Sequence, residues 1–76
     1  MKENNNVYDI ICKRGKLSYV MEQGFTSKED ALEELMGRRI ILEHLGSIVK
    51  DIPNGIVAKD KKGRIVAEYK IVIATT

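Results

Sequence analysis

An α+β domain, in the order β-β-α-β-β with an antiparallel sheet and one helix packed on one face, is the fold this chain predicts. Three observations carry that expectation. Apolar and polar residues alternate on both sides of Gly15, the pattern repeats around Gly63, and between the two lies a stretch with a helix start signal and helical periodicity.

The first hairpin runs from Val7 to Glu22. Tyr8, Ile10 and Cys12 share one side of the pleat, and Leu17, Tyr19 and Met21 follow Arg14-Gly15, where glycine supplies a positive φ for the turn. Two helix starts then overlap. Thr26 stands three residues before Glu29 and Ser27 three before Asp30, each a hydroxyl able to cap the amides that a carboxylate-bearing first turn leaves unpaired. Ala31, Leu35, Leu42 and Val49 fall near one line of a helical wheel, with Leu32 and Leu45 beside them. Gly37 interrupts this pattern, and Ile40 and Ile41 project off the apolar stripe. A helix ending at Gly37, with a strand over Arg38 to Leu45, is the competing assignment. One helix from Ser27 to Leu45 is preferred, stopped by Gly46, because Met36 to Glu43 holds no turn pair from which a strand could start.

Ile52-Pro53-Asn54-Gly55 reads as a turn, since proline pre-sets φ and Asn-Gly tolerates left-handed angles. The second hairpin pairs Ile56 to Lys59 with Ile65 to Ile73 across Asp60-Lys61-Lys62-Gly63. Its last strand carries Ile65, Ala67, Tyr69, Ile71 and Ile73 on one face, while Val66 and Val72 make the other face partly apolar. One helix covers one face of a sheet, so surplus apolar surface is expected to meet something else.

Seventy-six residues suffice for one domain with one core, here 7–76, after a disordered tail over 1–6 that holds three consecutive asparagines. No stretch approaches the roughly 20 apolar residues that cross a bilayer, and the start lacks a signal peptide's apolar run. The single Cys12 has no disulfide partner, which fits a reducing cytoplasm. A net charge of +2, from 13 basic and 11 acidic residues, is too small to argue for nucleic acid by itself.

Catalysis is not expected. His44 is the only histidine and Cys12 the only cysteine, so neither a zinc set nor a nucleophile with its base is spelled out. Glu29, Asp30, Glu33 and Glu34 suit the positive end of a helix dipole, and the glycines form no phosphate loop. No cofactor is implied.

The order of parts resembles small bacterial and phage-borne domains of unknown function built as hairpin, helix, hairpin. Gly15 to Tyr19, Ser27-Lys28-Glu29-Asp30-Ala31 and Asp60 to Ile71 carry the likeness. The family usually has tryptophan where this chain has Leu17, and no break like Gly37; the resemblance implies a fold and no activity. Gly63 to Lys70 is also similar to the last strand of dodecins, flavin-storing oligomers that stack flavin on a tryptophan, a residue this chain lacks.

The expected function is that of a small cytosolic, non-catalytic regulatory module. It docks on a protein partner and self-associates through its sheet as a homodimer or higher oligomer, with Ile40, Ile41, Val66, Ile71, Val72 and Ile73 as interface residues. The alternative is a nucleic-acid-binding module. It would use Lys13, Arg14, Lys16, Lys61, Lys62 and Arg64 on phosphates, with Tyr8, Tyr19 and Tyr69 stacking on bases.

Overall fold

The computed structural model describes residues 6–74, so the tail expected over 1–6 lies, except for Asn6, outside the described residues. Strand β1 spans Tyr8–Arg14, β2 Leu17–Phe25, helix α1 Lys28–His44, β3 Ile48–Ile52, β4 Gly55–Lys59 and β5 Ile65–Ile73. The strands form one antiparallel sheet in the order β2-β1-β5-β4-β3, with the helix against one face. The predicted hairpin, helix, hairpin order is present. One strand more than expected, β3, forms between the helix and the Pro53 turn.

Each boundary has a local cause. Gly15, with φ of 58°, is the first central residue of a two-residue loop closed by Arg14 and Leu17, as a type II′ turn requires. Ser27 caps the helix: its Oγ accepts from the Asp30 amide at 3.1 Å. The helix continues through Gly37 and ends in a Schellman motif. Gly46, at φ of 97°, donates to the Glu43 carbonyl, and the Ser47 amide donates to that of Leu42.

Strand β2 is irregular where its partner is not. Its pairing with β1 slips by one residue between Val20 and Glu22 and again before Phe25. The first slip leaves Met21 unpaired and brings Glu22 opposite Ile10 on the helix side. At the second, the Gly24 amide donates to Asp9 Oδ1 at 3.2 Å.

The core lies between sheet and helix. Ile10, Cys12, Ala58, Ala67, Tyr69 and Ile71 meet Ala31, Leu35 and Leu42, with Val49 and Ile56 completing the cluster. The helix leaves one edge strand and arrives at the other. Its 17 residues reach about 25 Å, enough to cross a five-stranded sheet about 19 Å wide. At the far side Arg39 fastens it, donating to Asp51 Oδ1 at 2.7 Å and to the Val49 carbonyl at 3.3 Å. At the sheet's centre Tyr8 pairs with Ile73, and the Ala74 amide donates to the Val7 carbonyl at 2.7 Å.

Candidate interaction surfaces

The strand register assigns the paired sheet side chains to a face, and among the described residues one face has no helix over it. Across it runs the row Ser18, Lys13, Glu68, Val57, Lys50, one residue from each strand. The next row holds Val20, Ile11, Lys70, Gly55 and Ile52, and beyond it Asp9 lies opposite Val72. Val57 is buried even though it is on this face, between its register neighbours Lys50 and Glu68. Val20, Val66 and Val72 are exposed. A depression of about 190 Å³, lined by Ile11, Lys13, Ser18, Glu68, Lys70 and Val72, occupies the middle of the face. It is below the roughly 300 Å³ at which small-molecule pockets begin.

The six residues expected at an interface divide among four places. Val66 and Val72 are on the open sheet face, and Ile73 is exposed at the end of β5. Ile40 and Ile41 are exposed on the outer side of the helix, across the molecule from Val72. Ile71 is a correction: it is 6% exposed and belongs to the core, because β5 turns its odd residues Ala67, Tyr69 and Ile71 under the helix. No single flat partner can touch Val72 and Ile40 at once.

The basic residues are brought together. Because β1 and β5 are antiparallel neighbours, the turn that ends β1 and the turn that begins β5 lie at the same end of the sheet. Lys13, Arg14, Lys16, Lys61, Lys62 and Arg64 therefore gather there, with Lys59 added from β4. Arg64 is tied down locally. Its amide and Nε donate to the two carboxylate oxygens of Asp60, each at 2.9 Å, and the Lys62 amide donates to Asp60 as well. These bonds, led by the Arg64 amide, hold the Asp60 carboxyl below its ordinary range.

The tyrosines do not join them as a stacking platform, which corrects that part of the nucleic-acid expectation. Tyr69 is 1% exposed, and Tyr8 packs against the core. Only Tyr19 is exposed, and it lies opposite Cys12 on the helix side. The Tyr69 hydroxyl accepts from Arg14 Nη2 at 3.2 Å. Burial, and then the neighbouring Cys12, raise the Tyr69 pKa. Cys12 itself is fully buried, a packed small hydrophobe.

On the same side the slipped β2 brings Glu22 to the helix. The Glu22 carboxyl is raised above its ordinary value, first by a hydrogen bond with the Glu34 side chain, then by burial and the Glu34 charge, with Arg38 opposing. Among the described residues no three His, Cys, Asp or Glu side chains are placed to hold a metal ion. Nor is any described helix long and apolar enough to cross a membrane.

Two features escaped the sequence reading. Lys50 and Lys70, which with Lys13 make the open face basic, were not singled out, because only the register shows them sharing it. Strand β3 had a signal, five residues bracketed by Gly46 and Pro53 with isoleucine at both ends. Comparison with family models, with curated proteins and with solved structures finds no match.

Proposed function

We propose that this chain is a non-catalytic regulatory docking module of the cytoplasm, which receives a protein partner on the open face of its sheet. The observation that supports this is the helix-free face itself, where Ile11, Val20, Val66 and Val72 accompany a shallow depression on one side of a small domain. Charge narrows the partner. Lys13, Lys50 and Lys70 outnumber Asp9 and Glu68 on this face, so a complementary surface presents apolar residues flanked by carboxylates. A second copy stacked on the same face would bring lysine against lysine.

The test compares wild type with Val72→Glu, at a position 38% exposed and outside the core cluster. Partner captured from the chain's own cell and then purified should bind Val72→Glu at least about tenfold more weakly by calorimetry, as loss of a central apolar contact does. Equal binding would remove the open face from the reading. A second reading, contact with a polyanion, is favoured by the gathering of both basic turns at one end of the sheet.

A further inference from the structure

We infer that two copies of this chain pair through the outer side of α1, helix against antiparallel helix, leaving both open sheet faces free. On a helical wheel Glu33, Gly37, Ile40 and His44 all lie within about 40° of the point opposite the buried Leu35. Their spacing of four, three and four residues is that of the positions facing a partner in a two-helix coil, with Ile40 the apolar anchor among them. Met36 and Ile41 flank it, and Met36, Ile40 and Ile41 are 65%, 67% and 52% exposed.

What points to a second copy, and not to another protein, is that the seam complements itself. With a two-fold axis between residues 38 and 39, Gly37 of one copy lies opposite Ile40 of the other. Glu33 lies opposite His44, and each relation occurs twice. The glycine leaves a hollow for the isoleucine, and the imidazole N–H donates to the carboxylate at both ends. Met36 meets its own copy along one rim and Ile41 along the other.

Gly37 is otherwise unexplained. Its φ is not positive and a Cβ would meet nothing within 4 Å, so neither backbone conformation nor packing within one copy requires it, and glycine weakens a helix interior. Close approach of a second helix does require it. The inference does not depend on the open-face reading, because Val72 and the seam are on opposite sides of the molecule.

Sedimentation velocity from about 1 µM to 1 mM tests it, a range that spans weak to moderate association. Wild type should dimerise within that range, and Ile40→Glu should weaken the dimer at least about tenfold. Gly37→Lys should weaken it similarly while raising the melting temperature, since lysine is the better helix former and has open space in the single copy. Glu33→Lys should weaken it and Glu33→Lys with His44→Glu restore it. A wild type that stays monomeric throughout overturns the inference, as does a dimer that survives both Ile40→Glu and Gly37→Lys. A dimer lost in Val72→Glu but kept in Ile40→Glu would place the contact on the sheet and overturn it equally.

Discussion

At the scale of single residues, one glycine that reads in the sequence as part of a turn is required by packing instead. Gly55 opens β4 and is buried; a Cβ built on it would collide with the Tyr69 carbonyl oxygen and lie 3.0 Å from the carbonyl carbon. That obstacle is backbone, held in the ladder between β4 and β5, and it cannot swing aside. Gly55→Ala should therefore destabilise the fold by about 3 kcal/mol, in the range of overpacked core sites, and urea unfolding followed by circular dichroism would measure it. In the sequence Gly55 reads as half of an Asn-Gly turn. The positive φ of that turn belongs instead to Asn54, at 61°, and the glycine is required by a neighbour fourteen residues away. Turn chemistry is local and legible; close approach between strands is not.

At the scale of elements, the slipped β2 and the helix oppose two carboxyls across a gap. Glu22 is raised by Glu34, so the folded chain holds that proton more tightly than the unfolded chain does. The stability it contributes is present in full below the unfolded carboxyl value and is lost as the pH rises through the higher folded value. Glu22→Gln should flatten this dependence: its melting temperature should match wild type near pH 4 and lie above it at pH 7, as thermal melts at the two pH values would show. No reading of the alternation anticipates this pair. Strict alternation from Val20 puts Glu22 on the open face, and only the extra residue of the bulge turns it towards the helix. The helix limits, in contrast, were legible to within one residue at each end, because Ser27 and Gly46 act on their nearest amides and carbonyls. Strand β3 was missed for the opposite reason. Its residues Ile48, Val49, Lys50, Asp51 and Ile52 put apolar groups on both faces, and what makes them a strand is pairing with β4 and the hold of Arg39.

At the scale of the molecule, charge is separated along the strands. The end with the β1-β2 and β4-β5 turns carries Lys13, Arg14, Lys16, Lys59, Lys61, Lys62 and Arg64, and the helix starts at the other end with Glu29 and Asp30. A net charge of +2 conceals this, since a sum has no direction. If the basic end meets nucleic acid, gel shifts on single-stranded oligonucleotides should show binding in low salt that falls steeply as salt is added, one counterion released per phosphate neutralised. Binding absent at low salt would dispose of that reading. The fold class and the identity of the basic residues were legible in the sequence. Their convergence was not, because it depends on β5 inserting beside β1 and not beside β3.

That insertion has another consequence. With Tyr8 opposite Ile73 and Val7 bonded to Ala74, the described chain leaves the sheet beside the point where it entered. In space the domain is a closed ring whose cut lies between the central strand β5 and its neighbour β1. Both junctions of a fusion would emerge at one spot, far from the basic turns, so the domain is suited to being carried in a surface loop of a host protein as readily as at its end. A short linker across the cut, with new ends opened between Lys61 and Lys62, would preserve every strand neighbour while making β5 and β1 a hairpin and leaving β4 and β5 joined only by their ladder.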